Sequence, residues 1–364
     1  FYLYLLVAPR ADAMGLFHDD FAISSGWLTP WTTLPATLGW LIALALLPVA
    51  RSRSPWLAFA IGWFIAGHLL ESTVVMLEPV QLHRNYLAIF GPLFGLAVSI
   101  ERLAPNWRRC ALLAFGLWLL AVSSATALRA WQWRDALSMA FFEVVQHPES
   151  PRANYEAGRV LLEVAATVES VDTRLEGERY LQRAAALNPR DLSALVGLIM
   201  VGGEAAANTA FEQLRQRLSS RALFPADIPF LKQLGDCHGA RTCNISPRQV
   251  LALFDTALSR QQDPSERADV LSMLALYYAS SRKDVPTSVG LMREAVALQP
   301  NDAVYRLNLA NALLLLPDYA AAESELDIAD RLDGWQRMAL RNAQIRADIA
   351  RFRASQSKST LTDP

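Results

Sequence analysis

Long apolar runs fill the first third of the chain, and amphipathic helical patterns fill the rest. The apolar runs cover residues 33–50, 55–70, 86–100 and 110–128. A bilayer span needs about 20 residues, so several runs are a little short unless their flanks are counted. Aromatic residues lie near the run ends, as in an interfacial belt, at Trp27, Trp31, Trp56, Tyr86, Trp107 and Trp131. Four such runs in succession predict a transmembrane helix bundle.

The chain opens on the apolar run FYLYLLVAP and not on Met. This run is too short to cross a bilayer, and it lacks the basic start of a signal peptide. We expect it to be the tail of a membrane helix that begins upstream, so that the sequence is an N-terminally truncated piece. The predicted membrane region, residues 1–130, then holds this tail and four spans.

The arginines between the runs predict the orientation. They collect after the first and third runs, at Arg51, Arg53, Arg102, Arg108 and Arg109. Lys and Arg accumulate on the cytoplasmic side, so these two connections are expected to be cytoplasmic. The segment 71–86, the segment GLFHDDF and everything beyond residue 128 are then outside. The prediction is a bacterial inner-membrane protein with a periplasmic C-terminal part.

The remaining chain carries a helical repeat. The segments AAALNPRD and AVALQPND recur at 184–191 and 295–302, and Ala295 precedes Ala329 by 34 residues. A period of about 34 residues with small residues at helix contacts is typical of tetratricopeptide repeats. Because no run alternates as a strand would, the predicted fold is all-α, a transmembrane bundle followed by a tetratricopeptide-type α-solenoid.

The repeat pattern also sets the predicted domain limits. After a connector at 131–149, helical repeats are expected at 150–352, with two clear units at 266–299 and 300–334. Residues 335–352 read as a capping helix, and 353–364 read as a disordered tail. Five residues are predicted to lie where the helices of the last unit touch, namely Leu309, Ala310, Ala322, Leu326 and Ala329.

Cysteine usage and charge limit the chemistry. Cys237 and Cys243 flank HGART, and in an oxidising compartment they would close a small disulfide. A metal site with His238 lacks a fourth ligand, so none is predicted. Cys110 reads as a packing residue, and the sequon that begins at Asn244 is weak evidence of glycosylation. With a net charge of −1, nothing indicates a nucleic-acid partner.

The segment 71–86 crowds ionisable residues between two apolar runs, which is costly at a membrane. One interpretation is structural: Glu71 contacts His68 inside the bundle, while Glu78 and Arg84 are ordinary interface residues. The other is a substrate pocket at the outer surface, in which an arginine and a histidine bind phosphate and a carboxylate orients a hydroxyl or a metal ion. Its predicted residues are Glu71, Glu78, His83, Arg84, Asn85 and Tyr86. His18, Asp19 and Asp20 lie on the same side, and the acidic pair is expected to be solvated.

The segments HDDFAIS, GHLLEST and LEPVQLHRNYL, followed by the repeats, resemble a known family. They are similar to bacterial polytopic membrane proteins related to the transmembrane and tetratricopeptide-repeat O-mannosyltransferases of the GT-C class. The resemblance implies transfer of a sugar from a polyprenyl-phosphate donor to a protein hydroxyl at the outer leaflet. It also implies that the acidic catalytic motif lies upstream, so no catalytic residue or cofactor is assigned, and Asp19 and Asp20 do not match that motif by position.

Two functions therefore stay open. In one, the chain is the C-terminal part of a lipid-donor glycosyltransferase whose repeats present the acceptor protein. In the other, it is a non-catalytic, membrane-anchored scaffold whose repeats bind a protein or peptide.

Overall fold

The computed structural model describes residues 1–10, 13–69 and 80–359, and side chains up to residue 354. The chain divides into two compact units, Phe1–Val164 and Ala165–Pro364. Throughout these described ranges the regular structure is helical, and the only extended pairing is an isolated bridge between Gly26 and Thr29. The all-α prediction is therefore confirmed for the described part of the chain.

In the described ranges, the first unit contains seven α-helices and most of an eighth. They are α1 (Tyr2–Val7), α2 (Thr33–Arg53), α3 (Pro55–Leu69), α4 (Asn85–Ala88), α5 (Phe90–Glu101), α6 (Pro105–Gln132), α7 (Ala136–Gln146) and α8 (Pro151–Val168). The boundary between the units falls inside α8, whereas the sequence pattern places the start of the repeats at residue 150.

Of the helices that the structure describes in the first unit, two are long enough and apolar enough to cross a membrane. They are α2, with 21 residues, and α6, with 28 residues, and almost none of either helix is buried inside the protein. The two other predicted spans form the shorter apolar helices α3 and α5, with 15 and 12 residues. The predicted extension of α3 through residue 77 lies outside the described residues.

Glycines allow α3 and the α4–α5 segment to pack closely. A Cβ on Gly91 would lie 2.4 Å from the Ala60 carbonyl oxygen, and one on Gly67 would lie 2.7 Å from the Ala88 Cβ. Only a residue without a side chain fits such a close backbone approach. Since later residues of α3 meet earlier residues of the α4–α5 segment, the two run antiparallel.

The second unit consists of helices joined by short turns. They are α9 (Val171–Leu187), α10 (Ser193–Val201), α11 (Glu204–Ser220), α12 (Ile228–Ala240), α13 (Pro247–Arg260), α14 (Pro264–Tyr277), α15 (Val285–Leu298), α16 (Ala303–Leu315), α17 (Tyr319–Leu332) and α18 (Ala339–Ser359). Sequential helices pack on one another from α9 to α11 and from α12 to α18.

Aspartate caps explain where the later helices begin. The carboxylates of Asp263, Asp284, Asp302 and Asp318 accept hydrogen bonds from the first free N–H groups of α14, α15, α16 and α17. A cap of this kind stabilises a helix by about 1 kcal/mol. Asp302 is the last residue of the repeated segment AVALQPND.

Small and branched residues form the core of the last two helix pairs. The five predicted contact residues are all buried, at 3% exposure or less: Leu309, Ala310, Ala322, Leu326 and Ala329. Alanines allow the helix axes to approach, and the leucines fill the space on either side of them. The contact pattern read from the repeat is therefore present in the structure.

The C-terminal end corrects one prediction. Residues 353–359, expected to be disordered, are helical, because α18 continues to Ser359. Alanine, arginine and glutamine favour helix in this stretch, and Arg353 pairs with Glu323 at 2.7 Å. The last five residues of the predicted tail lie outside the described part of the chain.

Candidate functional site

The predicted outer pocket falls on a helical turn at the start of α4. His83 and Arg84 belong to the 3-10 turn Leu82–Arg84, and Asn85 and Tyr86 begin α4. His83 is exposed and Tyr86 is 84% exposed, while Arg84 and Asn85 are half-buried. These four of the six predicted residues are consecutive in the sequence and lie on one turn. Glu71 and Glu78 lie outside the described residues.

Hydrogen bonds from α1 and α3 hold this turn. The Gln81 N–H donates to the Tyr2 hydroxyl at 2.9 Å, and that hydroxyl donates to the Gln81 carbonyl at 3.0 Å. The Trp63 indole N–H donates to the Leu87 carbonyl at 2.9 Å. These bonds lie on both sides of His83–Tyr86, so the turn is positioned by contacts outside it. The Asn85 side-chain oxygen is buried and has no donor among the described residues.

His68, predicted to share a face with the two glutamates, lies in an aromatic cluster. Its Nδ1 is 3.0 Å from the Phe64 carbonyl oxygen, one turn earlier in α3. The rings of Phe64, Tyr2 and Trp40 surround it at centroid distances of 4.5, 5.5 and 6.2 Å. This arrangement leaves His68 packed among rings, with one nitrogen already engaged.

A second polar cluster joins the segment 15–20 to α7. Its centre is Glu143, which has no exposed surface. The Glu143 carboxylate accepts from the Leu16 N–H at 2.6 Å, from the Phe17 N–H at 3.4 Å and from the Arg129 guanidinium at 3.0 Å. Through these donors Glu143 ties a segment more than 120 residues earlier in the chain to α7.

The adjacent aspartates in this segment are both engaged. Asp19 accepts from the Ser150 hydroxyl and, at 3.2 Å, from the Arg152 N–H at the start of α8. Asp20 lies 3.0 Å from Nδ1 of His147. Both residues are exposed, as expected of a solvated pair, and the first turn of α8 and the end of α7 also supply donors to them.

His18 is the less exposed of the two histidines in the same cluster. It is 7% exposed, its Nε2 is 3.5 Å from the Ala13 carbonyl oxygen, and its ring lies 5.1 Å from that of His147. Burial lowers the pKa of His18, and the neighbouring His147 lowers it further, against the opposing effect of Glu143 and Asp20. His18 is therefore neutral at pH 7.

The residues His18, Asp20, Glu143 and His147 are called the His18 cluster below. Two ring nitrogens in it are buried. Nδ1 of His18 and Nε2 of His147 have no hydrogen-bond partner among the described residues. Within those residues no group of three or more His, Cys, Asp or Glu side chains is arranged to hold a metal ion. The geometry instead fixes the segment 15–20 in place. In the sequence, Glu143 and His147 lie one helical turn apart at the end of an apolar stretch, and this spacing is the one local signal that indicates a polar cluster here.

The cysteines and the sequon of the second unit are part of its packing. Cys237, in α12, forms a disulfide with Cys243, with an S–S distance of 2.03 Å. The Asn244 side-chain amide donates to the Gly202 carbonyl at 3.1 Å, and Ser246 caps α13. Because the amide and the hydroxyl of the sequon are engaged inside the unit, they have a structural role.

A row of polar side chains crosses the first helices of successive repeats. Arg341 in α18 donates to the Asn308 side-chain oxygen in α16 at 2.9 Å, and the Asn308 amide donates to the Ser272 hydroxyl in α14 at 3.3 Å. One turn away, the Tyr305 hydroxyl donates to Asp269 at 2.7 Å. Burial, together with this carboxylate, raises the pKa of Tyr305. The row joins three helices through one partly exposed face.

No protein-family model matches the chain, and no curated protein matches it significantly. Among solved structures, the chain is similar to one described as the functional characterization of Pseudomonas aeruginosa PilF. The two are 17% identical, the match covers 58% of this chain and 95% of that one, and the TM-score is 0.29. A TM-score this low does not establish a common fold, so the function is argued from the residues of this chain.

Proposed function

We propose that this chain is a membrane-anchored protein whose helical-repeat unit binds a protein partner. The observation that supports the membrane part most strongly is α6, a 28-residue apolar helix of which no part is buried in the protein. Its exposed side chains include Leu113 at 71% and Leu117 at 69%. A helix that is apolar all round requires an apolar surrounding, and a bilayer supplies it.

The orientation in this proposal follows the arginines. Five arginines lie at the end of α2 and around the connection between α5 and α6, and this supports a cytoplasmic location for both connections in a bacterial inner membrane. The His83–Tyr86 turn and the repeat unit are then periplasmic. The disulfide between Cys237 and Cys243 is consistent with that compartment, because disulfides persist in oxidising surroundings.

The proposed partner site is the polar row of the repeat unit. Helical repeats of the tetratricopeptide type stack into a solenoid with an extended groove, and such grooves bind protein segments. Asn308 and Arg341 supply a carbonyl acceptor and guanidinium donors on a partly exposed face, which suits an extended peptide with its own amides and carbonyls. The polar row therefore supports protein binding through main-chain contacts.

Crosslinking in cells tests this function. A photoreactive residue at position 311, on the same helix as Asn308, is expected to give a discrete protein adduct, and one at the exposed position Ala320 is expected to give none. The double variant Asn308→Ala/Arg341→Ala is expected to remove the adduct while the chain stays folded. An adduct that persists at full yield in this variant contradicts the assignment.

A second candidate function is sugar transfer by the full-length protein from a polyprenyl-phosphate donor. It is supported by the His83–Tyr86 turn, which presents an imidazole, a guanidinium and a phenol together and is braced by Tyr2 and Trp63. In the natural full-length protein, Arg84→Ala is expected to abolish transfer and leave insertion intact. Arg53→Ala, at the other end of the helices, serves as the control. Full transfer by Arg84→Ala removes the donor pocket from the proposal.

A further inference from the structure

Five arginines of the first unit lie at one end of its apolar helices. Arg51 and Arg53 lie in the last turn of α2, and Arg102, Arg108 and Arg109 lie in or next to the connection between α5 and α6. The Arg102 guanidinium lies 5.3 Å from the ring centroid of Trp56, at the start of α3. Because α3 and α5 run antiparallel, the end of α5 meets the start of α3, and both connections are at the same end.

A surface cavity of about 320 Å³ opens within this basic end. Two arginines and three apolar residues line it, namely Leu103, Pro105, Arg108, Arg109 and Leu112. Among the residues that the structure describes, neither Arg108 nor Arg109 has a carboxylate within salt-bridge distance, and Glu101, the last residue of α5, is the nearest acidic residue along the chain. Two adjacent guanidiniums without a counter-charge favour an anion, and their planar donor groups suit a phosphate.

The apolar side of the cavity continues along α6. Arg109 is followed one helical turn later by Leu113, then by Leu117 and Leu120, which are 71%, 69% and 64% exposed. Residues at these spacings share one helix face. A ligand whose phosphate contacts Arg108 and Arg109 therefore has an uninterrupted apolar track beside it, which free phosphate would not use.

We propose that this cavity binds a phospholipid with an anionic headgroup, its phosphate on Arg108 and Arg109 and one acyl chain along Leu113, Leu117 and Leu120. The inference rests on the proposed membrane anchoring, and it adds a ligand at the end opposite the His83–Tyr86 turn. Charge complementarity selects the anionic headgroup, because a zwitterionic headgroup carries its own cation and gains less from two arginines. The exposed Trp107 lies at the level where indoles meet headgroups.

Native mass spectrometry of the whole chain in a mild detergent tests the site. The probes are phosphatidylglycerol and phosphatidylcholine with identical acyl chains, and the measured quantity is the ratio of the two bound fractions. The unaltered chain is expected to prefer phosphatidylglycerol. Each arginine is expected to contribute about fivefold to the ratio of bound phosphatidylglycerol to bound phosphatidylcholine. The double variant Arg108→Gln/Arg109→Gln is therefore expected to reduce this ratio about 25-fold. If the double variant fails to fold, Arg109→Gln alone is expected to reduce the preference about fivefold.

The matched control is Arg51→Gln/Arg53→Gln, which removes two arginines from the same end without touching the cavity. This control is expected to keep the preference within about twofold. An equal loss in both double variants, or no loss in the cavity variant, overturns the proposal.

Inorganic phosphate in large excess is expected to leave the lipid bound, and its displacement of the lipid would identify a free-phosphate site instead. If neither lipid binds and the chain stays in solution without detergent, the membrane proposal itself is wrong. Binding of both lipids without preference refutes only the headgroup site.

Discussion

Glu143 gives the sharpest test of how the first unit is held together. Its carboxylate is fully buried and accepts the Leu16 N–H at 2.6 Å, together with the Arg129 guanidinium. Glu143→Gln preserves the shape and one acceptor oxygen but removes the charge. The Leu16 bond should then lose the contribution of a charge-assisted hydrogen bond, about 1.5 to 3 kcal/mol.

That loss has a measurable size. It lowers the free energy of local opening and so accelerates hydrogen exchange of the Leu16 amide by about 10- to 150-fold. Glu143→Ala should have a larger effect, about 3 to 5 kcal/mol, because it leaves the Arg129 charge, only 12% exposed, without its partner. The assay is amide exchange of the micelle-embedded chain, read at Leu16. The control is Glu163→Gln, which alters an exposed carboxylate on α8.

The result that refutes this reasoning is equal exchange at Leu16 in Glu143→Gln and in the unaltered chain. It would show that the segment 15–20 is held by packing alone. Faster exchange in α7 and α8 alone would not support the reasoning, because the hydrogen bond in question belongs to the Leu16 amide.

Three further predictions concern the His18 cluster, the disulfide and the repeat core. The pKa of His18 in the folded protein lies below its ordinary value of 6.5, so on acidification the unfolded segment takes up a proton at a higher pH than the folded one. Protection of the segment 15–20 from hydrogen exchange should therefore fall as the pH drops below about 6.5, and level off below the folded pKa. Reduction of the disulfide between Cys237 and Cys243, which are six residues apart, should lower the free energy of unfolding of the second unit by about 2 kcal/mol. The measurement is the denaturant concentration at the midpoint of unfolding, which should fall. Ala310→Leu should cost about 1 to 3 kcal/mol in the same assay, because Ala310 has no exposed surface and the added methyls overpack the core.

Each of these has a matched control. His18→Gln should remove the pH dependence of protection, and a profile that stays flat in the unaltered chain contradicts the assignment to His18. Cys110→Ser should leave the effect of reductant unchanged, since Cys110 is a free, exposed thiol. Ala320→Leu places the same side chain at an exposed position of α17. An equal loss of unfolding free energy at both alanines would contradict the packing argument.

The repeat core could be predicted from the sequence because its contacts are local and periodic. Once the spacing from Ala295 to Ala329 sets the period, the helix pairs follow, and Leu309, Ala310 and Leu326 must meet their neighbours. Their burial in the structure follows from the same periodicity. The length of α18 was underestimated because a polar composition is compatible with either an exposed helix or a disordered tail.

The His18 cluster could not be predicted in the same way. The Leu16 N–H and the Glu143 carboxylate that accepts it are 127 residues apart, and no periodic pattern links them. Asp19 and Asp20 look like any solvated acidic pair until α8 places Ser150 beside them. Long-range polar pairing depends on how the helices meet, which the local pattern does not contain.

The central claim, a membrane-anchored chain with its arginine-rich connections in the cytoplasm, is tested most directly by thiol labelling. In a Cys110→Ser background with the disulfide intact, Ser52→Cys places a reporter beside Arg51 and Arg53, and Ser25→Cys places one before α2. A membrane-impermeant maleimide added to intact spheroplasts should label the chain at position 25 and not at position 52, and disruption of the membrane should expose position 52. Labelling of position 52 in intact spheroplasts, or release of the chain from membranes by alkaline carbonate, would contradict the account.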